Sequence, residues 1–277
     1  MGIKVTKASG IVEDINSAKL RASLIRSGAD EVLADEIIER MMREIEPYTS
    51  TRKIYRLARK YLKKFNYATV LRYSLKRALF RLGPSGYPFE KYYGSVLSNY
   101  GYETKTGIIL QGKCVRHEVD VVAVKEDEVS LVECKYHSRA GIPVDVKVAM
   151  YVHSRFVDLA PVVAEQYPGK KFKGWLVTNT RCTSDAIDFA DCYGLNVKTW
   201  KYPGADSLEA MIEGKRLYPV TIISGIQKGL TDRLIKENII LLKDLVSMET
   251  ADIQKIVPLS ERKAQRLKNQ AEELCLC

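Results

Sequence analysis

Two apolar runs, Val-Asp-Val-Val-Ala-Val-Lys at 119–125 and Val-Ser-Leu-Val-Glu-Cys-Lys-Tyr at 129–136, are joined by the polar turn Glu126-Asp127-Glu128. Near-continuous Val/Leu runs of this length fit strands buried in a core. Asp120, Glu133 and Lys135 interrupt them. An unpaired carboxylate in such surroundings costs on the order of several kcal/mol, so a cation or metal ion has to offset it. Side chains alternate along a strand, so Glu133 and Lys135 project from one face, and a hairpin through the turn brings Asp120 beside them.

The 277-residue chain is long enough for two or three domains, and with 46% hydrophobic and 28% charged residues its composition is ordinary for a globular protein. No apolar stretch approaches the roughly 20 residues of a membrane span, and the amino terminus lacks the apolar core of a signal peptide. The six cysteines form no C-x-x-C pair, which argues against a zinc site and for free thiols in a reducing, cytoplasmic setting. The formal charge of +10 favours a polyanionic partner. Its distribution sharpens this: residues 52–81 hold eleven Lys/Arg and no Asp or Glu, interleaved with Tyr55, Tyr61, Phe65, Tyr67 and Tyr73.

Periodicity and breakers predict a multidomain α+β or α/β chain in three segments. Residues 1–83 read as a short strand pair (3–8 and 10–14), a helix from Asn16 or Ser17 to Ser27 stopped by Gly28, a helix over 31–45 ended by Pro47, and a basic helix capped by Thr49-Ser50-Thr51. Residues 84–204 read as a helix over 89–99, strands near 106–111, 118–125 and 129–136, a helix over 144–166, a strand over 174–179, a helix over 184–193 and a strand over 195–200. That αβββαβαβ order implies a mixed sheet flanked by helices. Residues 217–277 read as short helices alone.

The central segment resembles the PD-(D/E)xK phosphodiesterase superfamily, closest to Mrr-like restriction endonucleases and Holliday-junction resolvases. Asp120 and the Glu133-x-Lys135 tripeptide, separated by twelve residues, carry the resemblance, with Phe89-Glu90 and Asn99-Tyr-Gly-Tyr-Glu103 before them and the 174–179 strand and Ala186…Ala190 helix after. It covers about 120 residues and implies a Mg²⁺- or Mn²⁺-dependent DNA endonuclease. Asp120, Glu133 and Glu90 would be metal ligands, and Lys135 would position water and offset charge on the phosphorus. Two plainer readings stay open: Glu133–Lys135 as a same-face ion pair at a sheet margin, and Glu90 as a first-turn carboxylate favoured by the helix dipole. Glu118 is a spare ligand by period two, His117 and His137 are surface or phosphate-facing candidates, and His153 reads as structural. Lys147 is the candidate for the cation that the family's following helix often supplies.

Residues 5–20, Val-Thr-Lys-Ala-Ser-Gly-Ile-Val-Glu-Asp-Ile-Asn-Ser-Ala-Lys-Leu, resemble the ATP-cone, a regulatory nucleotide-binding module. The resemblance implies binding of ATP or dATP by Lys7, Glu13, Asn16, Lys19 and Thr51, with Ala8 standing where the family has Arg. No P-loop pattern occurs, so hydrolysis of that nucleotide is not expected. The carboxy-terminal helices look like a helix-hairpin-helix or related module, without its hairpin glycines, in which Arg262, Lys263, Arg266 and Lys268 are the candidate phosphate contacts. The combined expectation is a nucleotide-regulated DNA endonuclease that is not membrane-bound and forms a homo-oligomer, with a dimer as the natural state. The alternatives are a junction resolvase and a non-catalytic, nucleotide-sensing DNA-binding protein.

Overall fold

The computed structural model describes residues 3–223 and 226–276. Its amino-terminal unit opens with the hairpin β1 (Lys4–Thr6) and β2 (Val12–Asp14), followed by α1 (Ser17–Arg26), α2 (Glu31–Glu44), β3 (Thr49–Ser50) and α3 (Thr51–Leu62). β1 pairs antiparallel with β2 and parallel with β3. Side-chain caps start the helices: Asn16 accepts from the Lys19 amide, Asp30 from Leu33 and Ser50 from Lys53, each worth about 0.5–2 kcal/mol. The cap of α3 is therefore Ser50 rather than Thr51. Ser50 has an extended backbone that aims its hydroxyl at the Lys53 amide, whereas Thr51 is already the first helical residue. Leu24, Ala34, Ile37, Met41, Ala58 and Leu62 form the unit's core.

Two short helices follow, α4 (Tyr67–Tyr73) and α5 (Leu75–Leu79), so the basic stretch is three helices and not one. The central unit runs α6 (Tyr87–Asn99), β4 (Glu103–Gln111), β5 (Arg116–Lys125), β6 (Glu128–Lys135), β7 (Pro143–Val144), α7 (Val146–Gln166), β8 (Lys171–Thr178), β9 (Arg181–Cys182), α8 (Ser184–Tyr193) and β10 (Asn196–Lys198). The expected αβββαβαβ order is present, with a small parallel β7–β9 pair added. Five strands make one mixed sheet in the order β10-β8-β6-β5-β4, with the hairpin strands β4, β5 and β6 antiparallel and β6, β8 and β10 parallel. β6 lies in the middle, and every residue from Val129 to Cys134 is buried, as its apolar run requires.

α7 and α8 cover one face of the sheet. α7 does so through Ala149, Val152, Phe156, Leu159 and Val163, a spacing of three and four residues that keeps one stripe on the sheet. Gly174 of β8 makes room for Phe156, since a Cβ there would lie 2.6 Å from the ring. On the other face lie α6 and the carboxy-terminal helices α9 (Leu208–Lys215), α10 (Lys228–Lys236), α11 (Leu242–Val246), α12 (Thr250–Ile256) and α13 (Glu261–Leu276). One apolar cluster runs unbroken from Leu71 and Leu79 through Phe89, Tyr92, Val121 and Val132 to Leu234, Leu242, Leu267 and Leu274. The Tyr92 hydroxyl donates to the Leu217 carbonyl at 2.8 Å inside it. The whole is a multidomain α+β fold. Among the described residues no helix is long and apolar enough to cross a membrane.

Candidate active site at the end of the β5–β6 ladder

β5 and β6 are paired from Lys125↔Glu128 to Val121↔Val132, and the ladder stops one step short of Asp120 and Glu133. Continued, the register would set those two residues opposite each other. The Asp120 carboxylate takes over where the backbone leaves off, its Oδ2 accepting the Cys134 amide at 2.7 Å. The β4–β5 ladder is interrupted at the same level, for Thr106↔Val121 and Ile108↔Val119 are paired while Gly107 and Asp120 are not. Gly107 has φ +62°, a left-handed conformation that glycine adopts without penalty. Across this break the alternation slips: Val121 packs on the α6 side of the sheet and Val119 on the α7 side, where strict period two would put both on one face. Asp120 is the pivot, so the assignment of Glu118 and Asp120 to one strand face does not survive.

Glu133 is only 4% exposed, and its carboxylate lies between two cations. Lys135 Nζ donates to Oε1 at 2.6 Å, and Arg155 Nη1 donates to Oε2 at 2.5 Å. Arg155 also donates to the Glu118 carbonyl, tying α7 to β5 as well as to β6. The helical cation facing the strands is thus Arg155. Lys147, the sequence candidate, sits exposed in the first turn of α7. The sequence did hold a signal: Arg155 is flanked by the core positions Val152, Phe156 and Leu159, which turns it toward the sheet margin.

Two further carboxyls are electrostatically strained. Burial, and next the Glu133 charge, push the Asp120 carboxyl up to about 6 against the pull of the Cys134 amide, Lys135 and Arg155. Glu90, in the first turn of α6, is pushed up to about 7 by burial and then by Asp120, Glu118 and Glu133. Its Oε1 is folded back toward Gly86. Glu90 thus feels three carboxylates, Asp120, Glu118 and Glu133, and Asp120 feels Glu133, with Lys135 pulling against both shifts. Among the described residues no three His, Cys, Asp or Glu side chains stand at metal-ligand spacing, so Glu90, Asp120 and Glu133 do not form the three-ligand set expected from the sequence. A hard divalent ion that keeps most of its water needs only one or two protein carboxylates. The donor chemistry of Asp120 and Glu133 fits that lesser requirement.

The nearby histidines have other tasks. His117 Nε2 lies 2.8 Å from Asp158 Oδ2 of α7, and Asp158 also accepts the Cys114 and Val115 amides. His117 thus belongs to a clasp holding the β4–β5 turn and is not a free surface group. The backbone of His137 is fixed by Asn179, which accepts its amide at 2.9 Å and donates to its carbonyl at 2.8 Å. The His137 Nε2 is buried without a partner among the described residues. His153 packs on Phe189 and Tyr193 between α7 and α8, a structural role as read from sequence.

In the amino-terminal unit, Lys7 and Glu13 form an ion pair at 2.6 Å, while Asn16 is committed to capping α1 at Lys19. The pairing of Thr6 with Ser50 places Lys7 and Thr51 at the same end of the small sheet. Among the described residues no polar contact joins Lys7 and Glu13 to Asn16 and Lys19. At the far end of the chain, Lys268 is occupied by the Met248 carbonyl at 2.7 Å, and Arg262, Lys263 and Arg266 are exposed.

Residues 218–275 match the family model described as AF1548-like, C-terminal. A curated relative from Archaeoglobus fulgidus, an uncharacterized protein, is 35% identical over 181 residues, which is 65% of this chain and 97% of that protein. The crystal structure of the protein of unknown function AF1548 superposes with a TM-score of 0.58 at 32% identity, covering 69% of this chain and 98% of that one. Can2 from Sulfobacillus thermosulfidooxidans, solved with cyclic tetra-adenylate, overlaps 40% of this chain and 32% of its own at 20% identity and a TM-score of 0.31, too slight a likeness to bear on function. On the 32% identity and near-complete coverage of AF1548, the chain belongs to the AF1548-like family.

Proposed function

We propose that the protein is a metal-dependent endodeoxyribonuclease whose reaction centre is the Asp120–Glu133–Lys135 cluster. The carrying observation is the end of the β5–β6 ladder, where two strand carboxylates and a lysine gather and burial with the Glu133 charge raises the Asp120 carboxyl. Asp120 and Glu133 would hold Mg²⁺ or Mn²⁺, with Glu90 close enough to share its charge. The ion would supply Lewis acidity toward a phosphoryl oxygen and an acidified water. Lys135, half-buried beside Glu133, directs its ammonium to the same point and would steady the attacking water and the charge gathering on phosphorus. Arg155 fixes the orientation of Glu133 through a charge-assisted hydrogen bond. Glu90 and Asp120 are poised to give up protons near neutral pH as a cation enters.

Adenine nucleotide is the regulatory ligand in this reading, held by the amino-terminal unit with Lys7 and Thr51 at one end of its sheet. The test compares cleavage of plasmid, single-stranded and four-way-junction DNA by wild type, Glu133→Ala and Lys135→Ala, with Mg²⁺ or Mn²⁺ and with or without ATP. Cleavage that needs the metal and both side chains supports the proposal, and preference for the junction would make it a resolvase. DNA binding without cleavage of any substrate would identify a non-catalytic DNA-binding protein instead.

A further inference from the structure

Of the eleven cations of residues 52–81, eight lie in α3, α4 and α5 and Lys63, Lys64 and Arg81 just past helix ends, and among the described residues only Lys60 is in an ion pair, with Glu44. Three of the others come together. The guanidinium carbons of Arg59 and Arg77 lie 5.9 and 4.9 Å from the centroid of the Tyr55 ring. That ring is held by stacking on Tyr73 at 5.4 Å and by donating its hydroxyl to Ser74 Oγ at 2.8 Å. Arg81, four residues after Arg77 and just past the end of α5, donates to the Thr221 carbonyl. The Nε of Arg59 is buried with no acceptor among the described residues. Burial, then Arg77 and Arg59, hold the Arg81 guanidinium below its ordinary range. Like charges assembled without a counter-ion, one with an unused buried donor, cost the isolated protein stability that an anion would return.

We propose that Arg59, Arg77 and Arg81 anchor the phosphodiester backbone of a nucleic-acid strand at a position distinct from the reaction centre. This rests on the nuclease reading only for the identity of the polymer. Planar guanidinium forks suit phosphate oxygens better than any other side chain does. Tyr55 is already stacked on Tyr73 and covered by two guanidiniums, so the patch offers contacts to backbone and not a platform for bases. Its location fits a strand that continues to the carboxylates. The Tyr136 hydroxyl, next in sequence to Lys135, donates to the Leu79 carbonyl of α5 at 3.3 Å. Arg81 also lines an open cavity of about 390 Å³ whose walls include Lys228 and Ser138, in the loop that follows β6.

The experiment is fluorescence anisotropy of a labelled short duplex, and of its single strand, titrated with the full chain over a salt series in EDTA. Each phosphate contact contributes about 0.9 to the slope of log K against log salt for a duplex and about 0.7 for a single strand. Arg77→Gln and Arg59→Gln are each expected to lower that slope by about one contact's worth, and Arg77→Lys, which keeps the charge, to restore most of it. Lys60→Gln serves as the control and should leave the slope near wild type, since its ammonium already faces Glu44. Wild-type slopes for both glutamine variants on both forms of DNA would overturn the anchor, and metal-dependent cleavage lost in Glu133→Ala would then still stand. A lowered slope in a protein that never cuts would keep the anchor and remove the nuclease reading.

Discussion

Replacing Asp120 by Asn is expected to make the metal-free protein more stable at neutral and alkaline pH. The carboxyl is displaced from an ordinary 3.8 to about 6 by burial and by Glu133. A displacement of that size makes the ionised form about 3 kcal/mol less favourable in the folded protein than in the unfolded chain. The sign follows from proton binding. Between the two values the folded state retains a proton that the unfolded chain has released, so stability declines as pH rises through this interval and stays lower above it. Asparagine keeps an oxygen for the Cys134 amide, now accepted at 2.7 Å, and has no charge to lose. Urea midpoints from about pH 4 to about pH 8 in EDTA should therefore fall for wild type and fall less for Asp120→Asn. The gap approaches about 3 kcal/mol at most, reduced by solvent screening. Added Mg²⁺ or Mn²⁺ should raise the wild-type midpoint at the high-pH end and leave the variant unmoved. Wild-type stability that is flat or rising where Asp120 titrates, or a variant less stable than wild type at the alkaline end, would refute the reasoning.

Arg155→Ala leaves Glu133 buried with Lys135 as its remaining cation. It should cost about 3–5 kcal/mol in a denaturant titration, with Arg155→Lys losing less. Asp158, held down to about 2 first by its hydrogen bond to His117, contributes stability that is present above its ordinary 3.8 and lost as pH falls through about 2. Asp158→Asn should lack that acid limb, and hydrogen exchange at the Cys114 and Val115 amides should quicken in it. Gly174→Ala sets a methyl 2.6 Å from Phe156. It should destabilise by about 1–3 kcal/mol, and a Phe156→Leu partner should recover part of that loss in a double-mutant cycle.

What sequence conveyed about the fold follows from how much pattern each element carries. α7 was legible because its five core positions recur at three and four residues over about four turns, and β6 because its run from Val129 to Val132 is apolar but for Ser130. β3, β7 and β9 went unseen because two residues cannot display a period. The first half of β4, Glu103-Thr-Lys-Thr, is polar because it lies on an edge strand with little to bury, so the strand seemed to start later than it does. The basic stretch looked like one helix, yet Asn66 accepts from the Ala68 and Thr69 amides and starts a new one. The carboxy-terminal helices showed apolar faces, but a face declares that something covers it and not what does. That α6 and the sheet cover it is a tertiary fact.

The same distinction separates the readable part of the candidate site from the hidden part. Asp120, Glu133 and Lys135 could be named because a charge inside an apolar run is conspicuous in one dimension. Glu90 could be named from the helix that carries the family resemblance, whereas the meeting of Arg155 with Glu133 and the slip at Gly107 depend on which segment lies against which. These hidden features also weigh on the plainest alternative, that Glu133 and Lys135 are an ion pair serving the fold. One lysine would answer one buried glutamate, yet a second cation, Arg155, meets the same carboxylate, while Asp120 and Glu90 stand nearby with their protons held toward neutral pH. For stability alone, apolar residues of similar volume would serve at least as well as such a cluster. An arrangement that gathers acidic groups at the end of the β5–β6 ladder and raises two of them toward neutral pH is what the proposed metal-dependent reading requires.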